Sequence, residues 1–196
     1  NKDEVMSEFI GLIRTGAVIK KHSHELLLHF SSRHPALIKK CVTHKKSLFP
    51  HSSHTISVQE RRGIPGGIFY CFDFSVTNIV LDQFGFQDVN ILSNYLNQKL
   101  AAHFLRGVFE SRGYISNPMR GYHLEIQFNS EKLAHYILKY LHNLQFDFRS
   151  RTVKGDINLY LKNSQLIADF IRFLGAHQSY LEMEKIMVEK STINEI

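Results

Sequence analysis

Cysteine is scarce in this chain: Cys41 and Cys71 are the only two in 196 residues, each in an apolar stretch and neither in a CxxC pair. That argues against a disulfide framework, and two buried free thiols in a reducing cytoplasm are expected. No uninterrupted apolar run approaches the roughly 18 residues of a membrane span, and no signal peptide is visible. A soluble, cytoplasmic protein without a membrane partner is expected. A phosphate-cradling loop is also missing, because Gly63-Ile-Pro-Gly-Gly67 reads as a hairpin tip with no lysine and no following helix. No nucleotide or other small-molecule substrate is expected. Histidine is plentiful, at 12 residues, but metal-site spacing is not. The pairs His22/His24 and His51/His54 have no cysteine or acid at zinc-like distance, and His177 has no base or nucleophile near it in sequence. Neither a metal nor a cofactor is expected, and the histidines read as solvated or hydrogen-bonding residues.

What the chain does have is repetition. Phe9-Ile-Gly-Leu-Ile-Arg-Thr-Gly-Ala17 returns 96 residues later as Leu105-Arg-Gly-Val-Phe-Glu-Ser-Arg-Gly113, and the same order of patterns follows each. Both nonapeptides place glycine third, at Gly11 and Gly107, although glycine inside a helix costs about 1 kcal/mol relative to alanine. Thr15 and Ser111 lie four positions on, so each helix has a small-xxx-small stripe that lets two backbones approach closely. These four residues are expected at an interface between the repeats, at the centre of a pseudo-twofold molecule. With 43% apolar residues and 15 Phe, the chain is large enough for one sizeable core shared by the halves.

Each nonapeptide helix is expected to lead into two strands. In the second half Tyr122, Leu124, Ile126 and Phe128 alternate with His123, Glu125 and Gln127, the period of a half-buried strand, after a turn at Ser116–Gly121. Leu26, Leu28 and Phe30 mark its counterpart. Helices follow at Pro35–Phe49 and Ser130–Leu144, where Leu133, Ile137, Leu138 and Leu141 recur at helical spacing. Strands are then expected at Thr55–Arg61 and Ile68–Val76, and at Asp147–Val153 and Ile157–Lys162, with Lys154-Gly-Asp156 as the second hairpin tip. Closing helices span Thr77–Phe84 and Gln165–Leu174. The order α-β-β-α-β-β-α occurs twice, an α+β fold with one saddle-like antiparallel sheet per half.

The nonapeptides resemble degenerate LAGLIDADG motifs, the paired central helices of homing endonucleases, over residues 6–180. Phe104–Pro118, Gly121–Ile126 and Phe173–Gln178 resemble more specifically the WhiA family, bacterial regulators that join such a domain to a C-terminal helix-turn-helix. The resemblance implies repeats over residues 1–95 and 96–178. Residues 179–196, with a helix over Tyr180–Lys190, read as a linker toward a helix-turn-helix that is not present. Since the sequence begins at Asn1 without methionine, a trimmed fragment is expected.

In homing endonucleases the acid at the eighth motif position of each helix holds the divalent ion that assists cleavage. Here those positions are Gly16 and Arg112, and shifting the first register by one puts Thr15 there. Glu110 precedes Arg112 by two residues and so lies about 200° around the helix. No nuclease activity is expected. The net charge of +6, from 24 Lys and Arg against 18 Asp and Glu, favours a polyanionic partner. By strand parity Arg61, Arg149, Arg151 and Lys162 face the groove that endonuclease relatives lay over DNA. Lys20, Lys21, Arg62, Arg120 and Lys154 stand near hairpin ends. Glu25, Asp73, Glu125 and Asp147 fall on the same faces, which makes a mixed surface, while Lys39, Lys40, Lys45 and Lys46 read as a solvated helix face. The expected function is a catalytically inactive domain of a WhiA-type, nucleoid-associated transcriptional regulator of cell division or sporulation in Gram-positive-like bacteria. It would bind double-stranded DNA weakly or position the protein through contacts with other regulatory proteins. Substantial DNA binding through the groove is the alternative, and an active endonuclease a distant third.

Overall fold

The computed structural model describes residues 1–22, 25–60, 67–115 and 123–175, except the side chains of Lys21, His22 and Glu25. Arg61, Arg62, most of the Gly63–Gly67 tip, Arg120 with its turn, Tyr122, His24, His177 and the helix read over Tyr180–Lys190 lie outside the described residues. The chain divides into two compact units, with the break between Arg112 and Gly113.

The first unit opens on α1, Lys2–Gly16, capped by the Asn1 side chain and carrying Asp3 and Glu4 in its first turn and Arg14 in its last, charges that suit the helix dipole at both ends. Strands β1 (Ala17–His22), β2 (Glu25–Ser32), β3 (His54–Glu60) and β4 (Ile68–Val76) form an antiparallel sheet in the order β1-β2-β4-β3. Between β2 and β3 runs α2, Pro35–Leu48, started by proline in its first turn, where the missing N–H is harmless. Leu28, Phe30, Phe72 and Phe74 sit on one face of the sheet and are buried together with Phe9, Ile38 and Phe84 from the helices. The rings of Phe9, Phe49, Phe74 and Phe84 lie with centroids 5.6–6.3 Å apart in the pairs they form, tilted or edge-on as aromatic quadrupoles prefer. After α3 (Asn78–Gln83), Gly85 turns the chain at φ 71° and a 3-10 helix, Val89–Asn94, seals the core with Leu92 and Leu96. This seal had no periodic signal in the sequence.

The last element of the first unit is α4, Ala101–Arg112, the second nonapeptide helix. It packs on α1 at backbone contact. A Cβ built at Gly11 would fall 2.1 Å from the Phe104 carbonyl oxygen, and one at Gly107 would fall 2.1 Å from the Glu8 oxygen and 2.7 Å from the Leu12 nitrogen. Further along, the Thr15 and Ser111 hydroxyls hydrogen-bond to each other. At the other end the Ser7 hydroxyl meets the carbonyls of Tyr95 and Leu100. The cost of glycine in a helix is offset by the close backbone approach it permits and by burial of Leu12, Phe104 and Val108 on the two helices. This packing places α4 in the first compact unit, although the repeat it heads continues in the second.

The second unit is a sheet of β5 (Gly113–Ile115), β6 (Leu124–Phe128), β7 (Arg149–Val153) and β8 (Asp156–Leu161) in the order β5-β6-β8-β7, the connectivity of the first sheet. Helices α5 (Glu131–Asn143) and α6 (Ser164–Leu174) belong to it. Ser130 and Asn163 cap them, and Gly175 ends α6 in the left-handed conformation at φ 61°. Leu124, Ile126, Phe128, Leu159 and Leu161 are buried, as are Leu133, Ile137, Leu141, Phe148 and Phe170. The β7–β8 turn has positive φ at both Lys154 and Gly155, the geometry of a tight turn matched to strand twist.

Candidate nucleic-acid interface

Gly16 ends α1 against an aromatic ring: a Cβ there would lie 2.1 Å from the Phe30 ring. The position has no room for a carboxylate unless Phe30 moves. At the matching end of α4 the exposed Arg112 turns its Nε to the Thr15 carbonyl, 3.1 Å away, so a cation satisfies a last-turn oxygen of α1. Glu110 is engaged elsewhere, accepting from Lys40 Nζ at 2.6 Å. A divalent ion needs hard oxygen ligands, and the donors at these two helix ends do not fit one. Among the described residues no three His, Cys, Asp or Glu side chains gather as a metal site.

Lys40 also pairs with the buried Glu8, which has His44 at 3.4 Å and Arg106 at 3.9 Å. Burial pushes the Glu8 carboxyl up, but the hydrogen bonds of His44 and Lys40 and the charges of Lys40 and Arg106 outweigh it and hold it at about 2. Lys45 is buried too, donating to the Ser52 carbonyl, and burial lowers its pKa. The lysines of α2 are therefore not one solvated face: Lys39 and Lys46 are exposed, while Lys40 and Lys45 are built into the first unit. Helical spacing had indicated charge but not which turns meet a neighbour. Cys41 and Cys71 are both free and buried, and burial pushes the Cys41 thiol up to about 12.

The two sheets share one register, so their outward faces can be matched position by position. His29, central on β2, pairs across to Asp73, and Ser57 to Cys71. The equivalents are Glu125 opposite Tyr160 and Arg151 opposite Asn158. In the first sheet the buried His29 Nδ1 hydrogen-bonds Asp73 at 2.7 Å. Lys20 is exposed beside Asp73 and His54 in a shallow cleft, and Arg33 stacks over the Phe69 ring at 5.3 Å. Arg33 was overlooked in the sequence because it follows the strand rather than lying within it.

In the second sheet Glu125 is 0% exposed. Its carboxylate accepts from Tyr114 Oη, Asn158 Nδ2 and His123 Nε2, each at 2.8 Å, and from Arg151 Nη2. These donors and the Arg151 and His123 charges keep it ionised below the usual carboxylate range, against the desolvation that would raise it. Glu125 is thus not a solvated surface acid, as alternation implied, and Arg151 is not an unpaired base. Parity tells which way a side chain points but not whether its neighbours cover it. Arg149 and Lys162 are exposed and line one cleft with Asp147 and Tyr160. Lys162 Nζ lies 5.4 Å from the Tyr160 ring centroid, Arg149 lies 3.9 Å from Asp147, and Lys154 projects at the hairpin.

Residues 101–192 match the family described as the WhiA LAGLIDADG-like domain. The chain is 36% identical over 124 residues to the probable cell division protein WhiA of Carboxydothermus hydrogenoformans, covering 60% of this chain and 40% of that protein. Its fold matches full-length DUF199/WhiA from Thermatoga maritima with a TM-score of 0.71 at 23% identity, over 97% of this chain and 61% of that one. It also matches the homing endonuclease I-DmoI, solved in complex with DNA and Mn, with a TM-score of 0.62 at 16% identity, over 89% of this chain and 97% of that one. The fold is the LAGLIDADG α+β duplication, and the chain spans less than two thirds of these two WhiA proteins.

Proposed function

We propose that this chain is the catalytically inactive, homing-endonuclease-like part of a cytoplasmic, nucleoid-associated WhiA-type regulator of cell division and sporulation genes, contacting duplex DNA without cutting it. The observation that carries this reading is the exchange at the two motif helix ends, where a closed Gly16 and a cationic Arg112 stand in place of metal-binding acids. Arg149, Lys154 and Lys162 supply phosphate contacts, with Lys20 and Arg33 as lesser ones, while on the same faces Glu125 and Asp147 are paired with Arg151 and Arg149, and Asp73 and Asp156 are hydrogen-bonded to His29 and Gln127. Such contacts give affinity without sequence information.

The test has two arms. Supercoiled plasmid incubated with the purified chain and magnesium or manganese should stay uncut; protein-dependent nicking that survives purification and disappears on changing Arg112 would overturn the inactive assignment. Mixed-sequence duplex should bind with a Kd of roughly 10⁻⁴ to 10⁻⁶ M near physiological salt, weakening steeply as salt rises. A second reading, positioning by contact with another regulatory protein, is favoured by one observation: Ile56, Val58 and Ile68 are 50–64% exposed on the first sheet.

A further inference from the structure

The Glu125 centre is not required by the fold. At the same register positions the first sheet manages with His29, Ser57 and Cys71. Nor is the centre arranged for stability alone, because Asn158 Oδ1 is buried with no hydrogen-bond partner among the described residues, which costs about 1–3 kcal/mol. What it achieves is a fixed guanidinium. Arg151 is held through Nη2 by Glu125 and lies over the Tyr160 ring at 5.5 Å, yet its side chain is 50% exposed. Its Nε and Nη1 have no protein partner among the described residues. Of the five donors in this rigid fork, one is committed to Glu125, and the half-exposed side chain leaves the others available to a ligand.

We propose that Glu125 is a positioning residue that presents Arg151 as a reader of a guanine edge in duplex DNA. This rests on the DNA-contacting reading above and deepens it. The carboxylate cancels much of the charge that would draw Arg151 to any phosphate, since the two groups are in contact and a distant anion feels their sum. It does not cancel short-range directional donation. Two parallel N–H groups match the adjacent O6 and N7 acceptors that guanine shows in the major groove, and no other base offers that pair. Arg151 also stands in cross-strand register with Asn158 and Gln127, so its base is held from a strand rather than a loop. Arg149, Lys154 and Lys162 keep the phosphate role.

The experiment selects duplexes bound by the intact 196-residue chain from a randomised pool, then measures affinity for the selected sequence and for single-base replacements. The parent should enrich a fixed guanine whose replacement weakens binding roughly tenfold. Arg151→Lys should lose that discrimination while binding mixed-sequence duplex within about threefold of the parent, since charge is retained. Glu125→Gln should lose it with the arginine still present, and should bind mixed-sequence duplex at least as well because a negative charge is gone. Should Glu125→Gln fail to fold, Arg151→Lys decides alone, being at an exposed edge-strand position. Selection that enriches no base, or an Arg151→Lys variant with the parent's preference, overturns the inference while leaving non-catalytic binding intact. No duplex binding at all by the parent would overturn both.

Discussion

The two sheets have the same strand order and register but carry opposite chemistry on their outward faces. Where the second presents Arg149, Arg151 and Tyr160 around a buried carboxylate, the first has Thr55, Ser57 and Asp73 around a buried histidine. On the inward face of the edge strand the contrast reverses: exposed Ile56 and Val58 in the first sheet stand where the second has Ser150 and Thr152. Duplication supplied one scaffold, and register conserved the cores while the solvent faces diverged. The polar centre and its cations belong to the second copy, and the apolar edge to the first.

What the copies share should be the most costly to break. Gly107→Leu drives a side chain into the Glu8 carbonyl and should destabilise the first unit by about 3 kcal/mol or more, read as a fall in melting temperature of many degrees. A midpoint within a few degrees of the parent would remove the close helix contact from the account.

Next comes a feature of the first unit alone, the ion cluster of Glu8. Its carboxyl is held at about 2 from an ordinary 4.5, so its contribution is complete above pH 4.5 and lost as pH falls through 2. Glu8→Gln should cost on the order of 3 kcal/mol at pH 7 and flatten the acid limb of stability in that window. Denaturant melts at pH 7 and pH 3 check this: an unchanged acid limb in the variant would assign the stabilisation to other groups.

The smallest effect concerns the apolar edge. Replacing Ile56 with Ser and Val58 with Thr gives the first sheet the residues of the second at two exposed positions, and stability should change by less than about 0.5 kcal/mol per site. A larger loss would mean that this edge is covered in solution.

Much of this architecture was legible in the sequence. The glycine stripe pointed to α1 and α4, and alternation over Leu124–Phe128 marked a strand with Leu124, Ile126 and Phe128 inside. The 3-10 seal at Val89–Asn94 escaped because irregular segments have no period to detect. The site was legible only as residue types. Alternation put Glu125 and Arg151 on the outward face but could not reveal that they bond, since β6 and β7 are joined through β8 and 26 residues separate them. Lys40 and Lys45 were misread for a related reason: their partners, Glu8, Glu110 and the Ser52 carbonyl, come from other elements or loops.

In the proposed function it is the outward face of the second sheet, not the helical side of the first unit, that contacts DNA. The most direct test is a salt titration of duplex binding for two double variants with equal charge loss: Arg149→Gln with Lys162→Gln, and Lys39→Gln with Lys46→Gln. All four side chains are exposed. The first pair should weaken binding at least about tenfold and reduce the salt slope by about 2, one unit per lost phosphate contact, while the second leaves affinity within about threefold. Equal losses from the two pairs would contradict the account.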